Sequence, residues 1–447
     1  MVLNFEQIRI SSGVIYRCGK MEQFRDAHFF YTPSQGNIYT IAELKLANGC
    51  KKLLVASLKR EIFCFEYQES PSGTLMPTAR DISFTYIPNA AEIISLDAFN
   101  KSTTSNEFVI GITIIKNSND ADSTLETYLN IYSEWEESED FNIENIAQNC
   151  LTVELNFIPY KLCHTHLVTW KNDQIVSKEM VFILSGNDNQ VHIFKESSSE
   201  HNYRELEGNN FFPEFSKTPS PVVWIDIVYL NNFARRVTSF VCECGYVKLL
   251  VVDVKCNKLI YNFSTRFGNY IPRVQIYLEK DKTDLQCRNE FIKCLADDKT
   301  DKTEDEEFIL NLVVVNSILP AVMFHNVLKY GLSDYTTLPR LDNTTVLTSC
   351  EVADIDFDGE KELLIGNSAE EIMLLKRDKL GDWYLEEVKK ISGPILGVKY
   401  IDMDGDGVKD LVIFSTKGVH ILQHDTAQLQ KTIDSKLENL LCGANLL

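Results

Sequence analysis

The chain has 447 residues and a formal net charge of −20. That acidity argues against a nucleic-acid partner, whose phosphates need a basic face, and against an anionic membrane surface. Hydrophobic residues make up 44% and aromatics 11%, enough for a large core. No apolar run reaches the ~18 residues of a membrane span and no basic-then-apolar leader is evident, so a soluble, unsecreted, cytoplasmic protein without membrane insertion is expected. Twelve cysteines are scattered through apolar, strand-like sequence with no C-x-x-C, a pattern of buried free thiols in a reducing compartment.

In chain order, the recurring unit is a strand, a short turn and a second strand. Its copies are KKLLVASLKREIFCF (51–65), EFVIGITIIK (107–116) with a polar excursion before TYLNIYSEW, and MVFILSGNDNQVHIFK (180–195). They continue with VTSFVCECGYVKLLVVD (237–253), FILNLVVVNSILPAVMF (308–324), KELLIGNSAEEIMLL (361–375) and KDLVIFSTKGVHILQH (409–424). Each is rich in β-branched and aromatic residues and is bounded by Gly, Asn and Ser. Most copies follow another apolar stretch, such as NIYTIAELKL, AEIISLDAF, PVVWIDIVYL, IPRVQIYLE or PILGVKYIDMD. A further strand is expected after several of them, as in RDISFTYIP (80–88) or CLTVELNFIPY (150–160).

Four strands in each of seven units predict an all-β fold, a seven-bladed β-propeller over residues 1–425, followed by a short C-terminal α-helix over 426–441. The helix carries Leu429, Ile433, Leu437 and Leu440 on one stripe, suited to packing back on the propeller or to docking a partner. After GVHILQH no strand remains for the last blade, so the N-terminal segment between about Phe5 and Tyr31 is expected to supply its outer strand. Both FEQIRISSGVIY and FRDAHFFYT are suitable. The charged stretch ADDKTDKTEDEE (296–307) is expected to be a mobile acidic loop within the propeller, and 116–126 a shorter loop of the same kind.

Two acidic loops carry the chemistry. DIDFDGEKE places Asp354, Asp356, Asp358 and Glu362 at positions 1, 3, 5 and 9, with Glu360 at position 7. DMDGDGVKD does the same with Asp402, Asp404, Asp406 and Asp410, with Val408 at position 7. Gly359 and Gly407 hold position 6, where a tight turn needs glycine. Alternate carboxylates plus a carbonyl at position 7 supply about six oxygens, a number Ca²⁺ accepts. Both loops are therefore candidate calcium sites, the second more than the first. The plainer alternative is that these side chains cap their own backbone N–H groups without an ion.

No catalytic or cofactor-binding set stands out: H-E-x-x-H, G-x-S-x-G, Walker and Rossmann patterns are absent from the sequence. His164 and His166 form the only close histidine pair, with no third ligand for Zn²⁺ evident. A propeller enzyme would need acid–base residues gathered at one mouth of the central channel, and none is legible in the sequence. Trp135, Trp170, Trp224 and Trp383 suit blade packing or one partner anchor.

The acidic loops resemble the calcium loop found between outer strands of integrin-α-type (FG-GAP) repeats. TYIPNAAEIISLDAFNKS (85–102), NIENIAQNCLTVELNFIPYKLCH (142–164), FILSGNDNQVHIFKE (182–196), ADIDFDGEKELL and STKGVHILQH (415–424) resemble the kaptin family. That resemblance spans residues from about 25 to 424. It implies a non-enzymatic subunit of the KICSTOR assembly, paired with a second FG-GAP-type propeller and a large scaffold subunit. Such an assembly recruits the GATOR GTPase-activating complex to the lysosomal surface and restrains the TOR kinase when nutrients are scarce. The alternative implication is an actin-associated protein at actin-rich cell projections.

Overall fold

The computed structural model describes residues 6–9, 15–18, 24–47, 49–71, 73–102, 104–116, 125–134, 142–197, 202–280, 308–341, 344–378, 380–431 and 434–435. Seven sheets of four antiparallel strands, one of them extended by two further strands, make the blades of a β-propeller. The innermost strands, one per blade, are Ile41–Lys45, Ala91–Asn100, Pro159–Lys171, Val222–Leu230, Arg273–Lys280, Leu347–Ala353 and Ile395–Ile401. Blades one to seven are numbered in that order.

The middle strands read as continuous apolar runs because both of their faces are buried against neighbouring blades. In Lys51–Ala56, Leu53 and Val55 pack with Ile401, Val412 and Phe414 of blade seven. Leu54 and Ala56 point the other way, to Ile93, Ile110 and Ile112 of blade two. The same alternation repeats around the molecule, so that each pair of adjacent blades shares one apolar cluster. The cluster between blades seven and one closes the ring.

Closure uses the N-terminal segment. Phe24–Tyr31 pairs antiparallel with Gly418–His424 and is the outer strand of blade seven. The other suitable stretch goes elsewhere: Glu6–Arg9 and Ile15–Cys18 form a hairpin beside Trp383–Lys390, the outer strand of blade six.

RDISFTYIP departs from expectation. The outer strand of blade one is Leu75–Asp81; the Ile82 N–H then bonds the Ile62 carbonyl, and Tyr86 turns at φ 60° ahead of Pro88. The outer strand of blade two is Cys150–Leu155. It follows a one-turn helix, Ile143–Gln148, whose first N–H groups are capped by the Asn142 side chain. Residues 426–431 and 434–435 are helical. Residues 436–441, the acidic stretch 296–307, most of 116–126, and Trp135 lie outside the described residues, as does Ile433.

The described cysteines are all free. Cys64, Cys242 and Cys350 are buried as expected, whereas Cys50, Cys150, Cys163 and Cys244 are half-buried and Cys256 is exposed.

Candidate functional site

Two clusters of ionisable side chains stand out, one in the acidic loops and one in the central channel. The loops connect the inner strand to the second strand in blades six and seven, not outer strands as the integrin-like resemblance implied. Both therefore lie on the face of the ring where inner strands end. Gly359 and Gly407 have φ of +89° and +88°, the left-handed conformation that favours glycine at this position.

In blade seven, Asp402 accepts from the N–H groups of Gly405 and Gly407 at 2.7 and 3.0 Å. Asp404 accepts from Asp406 and Asp406 from Val408, so the loop's turns are held by its own carboxylates. Donor oxygens of Asp402, Asp404 and Asp406 fall within 4.8 Å of one another. Asp410 sits behind them, 4% exposed, accepting from the Met403 N–H. Burial and the nearby Asp404 charge push its carboxyl up to about 7. Burial, then the Asp406 and Asp402 charges, also raise Asp404.

Blade six repeats the pattern with one difference. Asp354, Asp356 and Glu362 converge within 4.8 Å, and Asp358 accepts from the Glu360 N–H at 2.7 Å as Asp406 does from Val408. Glu362, 2% exposed, accepts from the Ile355 N–H and is pushed up to about 7, by burial first and then by the Asp356 charge. Here the Lys376 ammonium lies 2.6 Å from Asp356. The strand register places Lys376 one residue after Leu375, the partner of Leu363, and Gln423 one residue after Leu422, the partner of Leu411. Lys376 and Gln423 thus occupy equivalent positions, and the Gln423 amide donates to Asp404 at 3.2 Å. Blade six supplies its own cation, whereas blade seven answers its carboxylates with a neutral amide. The residues fit a divalent cation in blade seven and fit it poorly in blade six.

The channel holds the set that was not legible in the sequence. Every inner strand contributes an ionisable residue: Glu43, Asp97, Lys161, Asp226, Arg273, Glu351 and Lys399. In four of these strands a register shift precedes the residue, at Ile93/Ser95, Val222/Trp224, Leu347/Ser349 and Ile395/Gly397. Asp97, Asp226, Glu351 and Lys399 each follow the shift by two residues and so occupy one structural level.

Ion pairs tie neighbouring blades together. Lys399 and Lys51 each lie 3.1 Å from a Glu43 oxygen. Burial opposes ionisation of Glu43, but the two ammoniums overcome it and hold the carboxyl at about 2. Arg273 reaches Glu351 at 3.4 Å, and Asp226 accepts from the Ile276 N–H of blade five at 2.6 Å. Burial raises both Asp226 and Glu351. Asp226 of blade four senses Lys399 of blade seven, an interaction that crosses the channel.

Where the inner strands begin, an aromatic group caps the channel. Tyr39 stacks on Trp224 with ring centroids 6.1 Å apart, and Lys161 and Arg273 lie over the Trp224 ring at 4.5 and 5.0 Å. Trp170 sits under Lys255 and Trp383 under Arg377.

The histidine pair divides. His164 bonds Asp97 at 2.7 Å; burial opposes its charge, yet the carboxylate raises its pKa. His166 is lowered to about 4 by burial, with Lys178 and His164 adding repulsion. The pair gains no third ligand among the described residues.

Comparison with known proteins agrees with the fold. A family model described as KICSTOR complex protein kaptin matches residues 24–434. The Mus musculus KICSTOR complex protein kaptin is 33% identical over 410 residues, covering 91% of this chain and 89% of that protein. Among solved structures, BBS1N in complex with ARL6DN, soaked with mercury, superposes with a TM-score of 0.51 at 8% identity, covering 91% of this chain and 98% of that one. At that identity the likeness speaks for the fold alone.

Proposed function

The chain belongs to the kaptin family, and from that premise we propose that it is a non-catalytic subunit of a KICSTOR-like complex. In this reading it pairs with a second FG-GAP-type propeller and a large scaffold subunit. Together they bring the GATOR GTPase-activating complex to the lysosomal surface and restrain TOR kinase signalling when nutrients fall. Family membership over most of the chain is the observation that carries the reading.

The molecule's surface suits adhesion. On the face where inner strands begin, Tyr270, Ile318, Leu319 and Val346 are exposed, with Ile318 at 55%. They adjoin one another, because the Ser317 N–H bonds the Tyr270 carbonyl and the Leu347 N–H bonds the Ser317 carbonyl. Exposed apolar residues gathered on a rigid frame are the usual core of a partner surface.

Affinity purification from fed and starved cells tests the proposal. Recovery of a second propeller and lysosomal components is expected. Recovery with filamentous actin alone would replace this reading by the cytoskeletal one. Ile318→Asp with Leu319→Asp should reduce capture of the partner without lowering the melting temperature, since both side chains are exposed.

The blade-seven loop carries a second, separable proposal: Asp402, Asp404 and Asp406 hold Ca²⁺, backed by Asp410. The ion would neutralise carboxylates whose mutual repulsion is about 1 kcal/mol per pair even at the dielectric of water. Millimolar Ca²⁺ should raise the melting temperature of the wild type but not of Asp404→Ala. An unchanged wild-type transition rules the ion out.

A further inference from the structure

Between the aromatic cap and the opposite face the channel widens into a cavity of about 700 Å³. It reaches from the inner strands of blades one, two, three and seven to the turns that follow Lys45 and Asn100. We propose that this cavity binds a small organic anion, whose carboxylate or phosphate group seats against Lys161 with Lys45 at the rim.

Charge is the first argument. In a chain of net charge −20, this cavity is lined by three lysines, Lys45, Lys161 and Lys399, against two carboxylates, Glu43 and Asp97. Both carboxylates are already engaged. The two Glu43 oxygens are taken by Lys399 and Lys51, and Asp97 is bonded to His164.

The cations are less fully matched. Among the described residues, neither Lys45 nor Lys161 has a carboxylate within salt-bridge distance. Lys161 instead lies over the faces of Trp224 and Tyr39. Burial lowers the Lys161 pKa, and the Asp97 charge offsets this only in part. An anion in the cavity supplies the missing charge.

Further lining groups suit the rest of such a ligand. The His166 Nδ1 atom is buried with no hydrogen-bond partner, so a polar group placed there would satisfy it. Phe99 and Met180 add an apolar wall for a short carbon skeleton, the usual composition of a small-molecule pocket.

Calorimetric titration of the full chain tests this, with inorganic phosphate and succinate as separate probes and chloride as the control anion. Saturable binding of at least one probe is expected, and the better probe tells phosphate from carboxylate. Lys161→Met should weaken that binding by about tenfold or more, the value of one charge-assisted contact. Lys161→Arg should retain it. Lys45→Ala, at an exposed rim position, should weaken it severalfold and decides the matter if Lys161→Met does not fold. Absence of binding by both probes, or wild-type affinity in both lysine variants, overturns the proposal.

Discussion

At the scale of single residues, the His164–Asp97 contact gives the molecule a pH response of definite sign. The folded state raises the His164 pKa above its ordinary value, so the stability it contributes is present below about pH 6.5 and fades as pH rises through the folded pKa. His164→Gln should therefore cost more at pH 6 than at pH 8.5, by about 1–3 kcal/mol at the acidic end. Denaturation of the two proteins at both pH values measures this; equal losses would show that the ring is neutral in the folded state. His166, lowered to about 4, acts in the opposite direction below pH 6.5, which is why the comparison is made between variants. A second residue-scale prediction concerns Glu214, which lies buried with both oxygens on the Arg236 guanidinium at 2.7 and 3.0 Å. Removing it strands that cation above the Phe212 ring. Glu214→Ala should lose about 3–5 kcal/mol in urea unfolding. Spacing within one turn made the acidic loops legible in the sequence. Lys376 and Gln423 were not legible as their counterparts, because strand register and not proximity in the chain brings them to the carboxylates.

At the scale of elements, blade seven depends on a strand borrowed from the other end of the chain. Deleting residues 1–31 removes that outer strand and leaves Gly418–His424 as a bare edge, so the cooperative thermal transition should be lost. A truncated chain that melts at the full-length temperature would show that the pairing contributes little. Gly418→Ala probes the same seam more finely. Gly418 has φ of +153°, and an added Cβ would stand 2.0 Å from the Phe30 carbonyl oxygen. The expected cost is about 1–3 kcal/mol. The need for a borrowed strand could be counted from the sequence, since the last unit runs out of strands. Which segment supplies it could not, because both candidates share strand composition. Only Phe24–Tyr31 leads directly into the first inner strand. RDISFTYIP misled for a related reason: composition favours a strand, but Asp81 is the last residue to pair with Phe63.

At the scale of the whole molecule, apolar clusters and ion pairs alternate in their direction of action. The clusters join each blade to the next. The channel charges reach further, since Glu351 of blade six senses Glu43 of blade one and Asp226 of blade four. A ring coupled in both ways should unfold as one unit, so fluorescence of Trp224 and far-UV circular dichroism should give coincident urea transitions. Separate midpoints would mean that blades unfold independently. The seven-fold repeat was legible because every unit repeats the same apolar strand pair. The channel set was not, although IAEL, ISLDAF, WIDIV, SCEVA and GVKYI each carry one charged residue amid apolar ones. Each taken singly is an ordinary surface alternation; the last four, aligned by the register shifts, become one level of a ring.

The seam in blade seven also sets a timetable. Arg25 meets Asp425 at 2.6 Å across a separation of 400 residues. During synthesis at about 5–20 residues per second, the strand Phe24–Tyr31 waits roughly 20–80 s for its partner to leave the ribosome. For that interval its backbone donors and acceptors stand unpaired, open to other strands in the cell. The nascent chain thus has a period of exposure that the finished ring no longer has, and its yield should depend on the chaperones that cover that strand more than on the final stability.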